Sequence, residues 1–169
     1  KITDATFSIQ KEAIFAEIQS LSMLDTKETE DNLQRISETL FAIASNNSFY
    51  SRLYADLYKD LVGKYAFLRG TLDSRLQDLD ALFDSIEWCD PQEDYDRFCD
   101  INKANDSRRA VTLFYVNLMK RGLISEERIV DLVQDLQTRF MAEVELDGRV
   151  PVCEELAELV SILVINCWT

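Results

Sequence analysis

Residues 47–61 read NSFYSRLYADLYKDL, and their spacing decides the fold. Tyr50, Tyr54 and Tyr58 recur every four residues, and Leu53, Leu57 and Leu61 run beside them. On a helix the leucines continue a line begun by Phe49, and the tyrosines form the next line. Together the rows make one broad apolar face, wide enough to pack two neighbouring helices. The stripe therefore reads as core, with hydroxyls reaching its boundary, rather than as a ligand strip. Asn47 or Ser48 is placed to cap the helix.

The same period continues in both directions. Upstream, Phe7, Ile14, Ile18 and Leu21 share one helix face, and Ile9 and Phe15 widen it. Thr26 can cap a second helix with apolar positions Leu33, Ile36, Leu40, Phe41 and Ile43. Downstream, Gly70 marks either a break or a bend in a continuous helix, and Leu72, Leu76, Leu79, Leu82, Phe83 and Ile86 form the next series. Asp90-Pro91-Gln92-Glu93 has the form of a helix start, with Asp90 as cap and Pro91 at the first helical position. That predicts a short helix to about residue 104.

Asp106 can cap the following helix, whose VTLFYVNLM run is apolar on most sides and so central. Lys120-Arg121-Gly122 ends it, with positive charge in the last turn, a left-handed glycine, and Leu123 packing back. Ser125 caps the next helix, helped by Glu126 and Glu127, with Ile129, Leu132, Val133, Leu136, Phe140 and Val144 as its buried face. Asp147-Gly148 closes it, and Pro151 opens a last helix to about Cys167. The chain thus reads as about eight helices, all-α, in antiparallel hairpins that fit a bundle or an α-solenoid. The last helix is apolar almost all round. It would be central in a closed bundle, or would pack on a missing neighbour in a truncated solenoid.

Composition narrows the chemistry. The 169 residues suit one domain, residues 1–169, and the initial lysine suggests a piece of a longer protein. With 18 basic against 31 acidic residues the net charge is −13, which disfavours broad nucleic-acid binding and favours a basic protein surface as partner. Arg108-Arg109 and Lys120-Arg121 are the local exceptions. Histidine is absent, removing His-based catalysis and the commonest metal ligand. Cys89, Cys99, Cys153 and Cys167 are irregularly spaced, which suits reduced thiols in a cytosolic or nuclear setting, the last three as small core hydrophobes. The most apolar run, residues 159–165, is too short to span a membrane, and no signal peptide is visible.

The four glycines stand alone, so no phosphate-cradling loop is present. Acids thicken from residue 78 to 100: Asp78, Asp80, Asp84, Glu87, Asp90, Glu93, Asp94, Asp96 and Asp100, opposed by Arg97. This is read as a solvated face that can also dock a basic partner, with Asp94 and Asp96 as candidate contacts. No cofactor or metal is implied. Two carboxylates working with a divalent ion keep a helical-enzyme alternative open, but the chain is read as a non-enzyme.

Residues 36–61, ISETLFAIASNNSFYSRLYADLYKDL, resemble the middle domain of eukaryotic translation initiation factor 4G. The shared elements are a hydrophobic helix, a short polar break, and an aromatic-Ser-x-Leu-Tyr-Ala segment, here Tyr50 to Ala55. Residues 108–129, RRAVTLFYVNLMKRGLISEERI, are similar to a later hairpin of that family, with its basic-Gly-Leu turn. Residues 151–164, with Glu154-Glu155-Leu156, resemble the next helix. With their flanks these matches cover residues 33–61 and 106–164, while residues 63–105 match poorly.

The resemblance implies a stack of antiparallel hairpins, a HEAT-like α-solenoid. It implies a cytoplasmic translation-initiation scaffold without an active site, which binds and stimulates a DEAD-box RNA helicase of the initiation factor 4A type. Direct RNA binding is expected to be weak at most. A cap-binding protein is a further expected partner, through flanking segments. The family meets one helicase lobe through a Leu- and Phe-bearing stretch of its first hairpin. The counterpart here is residues 7–15, giving Phe7, Ile9 and Phe15 as partner contacts, although the usual Leu-Thr-Pro is missing. A related scaffold for RNA decay, splicing or poly(A)-binding-protein interaction is the alternative within the superfamily.

Overall fold

A computed structural model describes residues 2–23, 27–84 and 86–167, without the side chains of residues 27–30 and 78–80. Among the described residues it is all-helical. The order is α1 (Phe7–Ser22), α2 (Lys27–Ser45), α3 (Ser51–Lys64), α4 (Phe67–Asp80), a 3-10 turn (Ala81–Phe83), α5 (Tyr95–Lys120), α6 (Glu126–Val144) and α7 (Val150–Cys167). Thr26, expected as the α2 cap, and the side chains of Asp78, Leu79 and Asp80 lie outside the described residues.

The tyrosine stripe is core. Leu57 and Leu61 are fully buried, Tyr54 and Tyr58 nearly so, and α3 packs against α1, α2, α4 and α5. The Tyr58 hydroxyl donates to the Ser37 carbonyl of α2 at 3.3 Å, which satisfies a polar group deep in the core. Phe41, Tyr58 and Phe114 meet edge to face with ring centres 5.9–6.0 Å apart, joining α2, α3 and α5. Phe49 does not extend the leucine line. It lies before the helix, 84% exposed, against the Tyr50 ring. Ile9 and Ile43 are also exposed, so the faces of α1 and α2 are narrower than their sequences suggest.

Among the described residues, seven helices and one turn replace the expected eight helices, because two expected helices merge into α5; a further break falls elsewhere than expected. Gly70 is inside α4. The chain turns at Tyr65 instead, where the backbone is extended (φ −125°, ψ 101°). There the Tyr65 hydroxyl donates to the Phe15 carbonyl at 3.2 Å, and its ring lies 5.8 Å from that of Phe15. The tertiary contact outweighs the modest cost of a helical glycine, about 1 kcal/mol. At Asp90 the chain makes a single turn, with the Glu93 and Asp94 amides both bonded to the Asp90 carbonyl. The cap of α5 is Asp94, whose carboxylate accepts from the Arg97 amide at 3.0 Å. Pro91 is therefore outside the helix, and Asp106 starts no new one. Asp106 sits within α5, 3.7 Å from Arg109 one turn on.

The end of α5 follows its sequence. Gly122 has φ +73°, its amide bonds to the Met119 carbonyl, and the Leu123 amide bonds to the Leu118 carbonyl. Leu123 is buried against the core, and Ser125 accepts from the Arg128 amide at 3.3 Å to cap α6. On α6, Ile129 and Leu136 are buried and Leu132, Val133 and Phe140 half-buried, but Val144 is exposed. α5 is the second centre, packed on α2, α3, α6 and α7. α1 lies mainly on α2 and α3, and α7 on α5 and α6. α7 is thus not central: Val150, Val164 and Ile165 remain exposed on its outer side. No helix among the described residues is long and apolar enough to cross a membrane.

Candidate functional site

The end of α4 and the segment after it are held by side chains of α5 and α6. Tyr115 of α5 donates to the Leu76 carbonyl at 2.7 Å, and Arg128 of α6 reaches the same carbonyl at 3.5 Å. Arg108, 5% exposed, donates to the Leu82 carbonyl at 2.7 Å and to Asn105. Its burial lowers the guanidinium below the usual arginine range, with nearby Glu155 opposing that shift. Arg139 pairs with Asp84 at 2.9 Å. Phe83 and Ile86 then enter the core, and the next two residues, Glu87 and Trp88, face outward.

A cleft of about 460 Å³ with Arg97, Glu143 and Arg149 meets this displayed pair, and two more lie alongside. One, about 630 Å³, is lined by Glu87, Asp94, Asp96, Arg97 and Asp100, with Arg108 at its side. Glu87 pairs with Arg97 at 3.1 Å, which raises the Arg97 pKa, and Asp100 pairs with Lys103 at 2.9 Å. The other, about 500 Å³, lies between α5 and the start of α7 and is walled by Trp88, Phe98, Ile101 and Pro151, with Glu154, Glu155 and Glu158 along it. Glu155 is 2% exposed and holds the Arg109 guanidinium through two of its nitrogens. That hydrogen bond raises the Arg109 pKa. These last two clefts share Glu87, Ile101 and Asn105.

Asp94 and Asp96 are brought into one cleft, although Asp94 also serves as the α5 cap. Phe7, Ile9 and Phe15 line none of these clefts. Phe7 and Phe15 are half-buried against the core, and Ile9 is 68% exposed. The Lys11 ammonium lies 5.7 Å from the Phe7 ring centre and pairs with Asp60 of α3 at 2.8 Å. The Lys64 ammonium lies 5.0 Å from the Phe15 ring centre. On this helix, then, Ile9 is presented outward while the two phenylalanines brace α1.

Of the basic pairs noted in the sequence, Lys120 is exposed and the three arginines are engaged internally. Arg108 is buried, Arg109 is held by Glu155, and Arg121 pairs with Asp56. Sequence reasoning missed Trp88 and the acids of α7. The available signal was a tryptophan beside an acid where the helical period lapses, after Ile86. Its juxtaposition with Glu154 and Glu158 depends on how α7 lies on α5. Among the described residues no three acidic or thiol side chains are placed to hold a metal ion. All four cysteines are unpaired and half-buried. No family model, curated protein or solved structure matches this chain.

Proposed function

We propose that the chain is a HEAT-like scaffold domain of the initiation factor 4G middle-domain type. In this reading it acts in the cytoplasm, in translation initiation, by binding a DEAD-box helicase of the 4A type and stimulating it. A rigid surface that favours one arrangement of two helicase lobes shifts the population toward it and needs no active site of its own.

The observation that supports this reading is where the resembling segments fall. Residues 50–55 run into α3, whose Leu53, Tyr54 and Ala55 are buried on the helix that packs against four others. Residues 108–129 form the hairpin of α5 and α6, closed by Gly122 and Leu123. A progression from α1 on α2 and α3 to α7 on α5 and α6, with an apolar outer face on α7, is also what stacked hairpins would produce.

The exposed Ile9, with Phe7 and Phe15 behind it, is the proposed contact for one lobe. The acidic cleft with Asp94 and Asp96 is the proposed match for a basic face of the partner. Calorimetry with a 4A-type helicase from the same source tests the reading. Binding at micromolar affinity or better is expected, weakened by Ile9→Ala without loss of thermal stability, since Ile9 is exposed. Absence of binding would remove the helicase from the account.

A further inference from the structure

The Trp88 cleft has a composition that a solvated acidic face does not require. An indole 44% exposed lines it, next to Glu87, which is paired with Arg97 of α5. Phe98, Ile101 and Pro151 supply an apolar wall, in a cavity of about 500 Å³. Such a volume lies within the range of cavities that enclose a ligand group, about 300–1,000 Å³.

Its charges are one-sided. Arg109, the cation of this cleft, is already committed to Glu155. Glu154 and Glu158 carry no ion pair among the described residues, Glu158 acting on Arg109 only at longer range. The adjoining cleft adds Asp94, which caps α5, Asp96, and Asp100, which pairs with Lys103, and Arg97 and Arg108 also line it. An aromatic face beside uncompensated carboxylates is complementary to a guanidinium on an aliphatic stem: the cation stacks on the ring, the stem covers the apolar wall, and the fork meets a carboxylate.

We infer that the paired clefts dock an extended, arginine-rich peptide segment of a protein partner. One arginine lies against Trp88 and Phe98 with its head at Glu154 and Glu158, and a neighbouring basic residue enters the cleft of Asp94 and Asp96. Nucleic acid is disfavoured, because its phosphates would face these same carboxylates. The inference does not rest on the helicase reading, since the clefts would take such a segment from any protein.

The test uses fluorescence of the full chain carrying Trp168→Phe, which leaves Trp88 as the only one of the 2 tryptophans. A peptide of alternating glycine and arginine is titrated in, beside a glycine–glutamate peptide, spermine and a single-stranded uridine oligomer. A saturable change in Trp88 emission is expected with the arginine peptide alone. Its affinity should fall severalfold as salt rises from about 50 to about 200 mM. By calorimetry, Trp88→Ala and the double variant Glu154→Gln, Glu158→Gln should each weaken binding by about fivefold or more. All three residues are exposed, so both variants should keep the parent melting curve, and either one suffices if the other does not fold. No saturation by about 1 mM peptide would overturn the inference. So would unchanged affinity in a folded variant, or spermine or the uridine oligomer binding as well as the peptide.

Discussion

Leu57→Ala is the sharpest probe of the tyrosine–leucine stripe. Leu57 is fully buried on the helix that packs against α1, α2, α4 and α5. Truncating it removes apolar atoms from the core and leaves a void that four helices cannot all relax to fill. Leucine-to-alanine changes in cores cost about 2–5 kcal/mol, and such a rigid site belongs in the upper half, about 3–4 kcal/mol. For a chain of this size that lowers the melting temperature by about 6–16 °C. The comparison is Phe49→Ala, which the sequence spacing puts on the leucine line but which lies before the helix, 84% exposed and against the Tyr50 ring. That change should stay within about 0.5 kcal/mol. Urea denaturation followed by far-ultraviolet circular dichroism measures both, provided the slope is unchanged between variants. A loss below about 1 kcal/mol for Leu57→Ala, or above about 2 kcal/mol for Phe49→Ala, would refute the placement of this helix.

The glycines give a contrast of sign: Gly70 lies inside α4 in open space, so Gly70→Ala should raise stability by about 0.5–1 kcal/mol in the same denaturation assay. Gly122, at φ +73°, should lose about 1–2 kcal/mol on replacement by alanine. Glu143, bonded by Arg149, has a pKa below the ordinary 4.5, so its stabilising effect is complete above that value and lost as pH falls through the lower folded midpoint. An NMR titration should place the Glu143 midpoint below 4.5 in the parent and return it toward 4.5 in Arg149→Ala; an unmoved midpoint would disprove the coupling.

The parts of the fold legible in the sequence are those set by local chemistry. The Lys120-Arg121-Gly122-Leu123 stop needs a left-handed residue followed by an apolar one, and Ser125 needs only a reachable amide. The two misplaced breaks were decided over long range. Tyr65 leaves its helix to meet Phe15, some fifty residues earlier in the chain, and no residue near Gly70 reports that contact. Asp106 has the chemistry of a cap. Yet Arg108 clamped to Leu82 and Ser107 bonded to Asn46 hold α5 straight through it, with no glycine or proline nearby to stop it.

The candidate site divides in the same way. Asp94 and Asp96 stood out as acids, and they do share a cleft. Trp88 did not stand out, because its meaning comes from Phe98 and from Glu154 and Glu158 on α7, which lie far from it in the chain.

The central claim is tested most directly by RNA-stimulated ATPase activity of a cognate 4A-type helicase, with and without this domain at saturating concentration. The account predicts a faster rate with the domain, reduced when Ile9→Ala is used. A rate unchanged by the domain, in a mixture where calorimetry shows no complex, would contradict it.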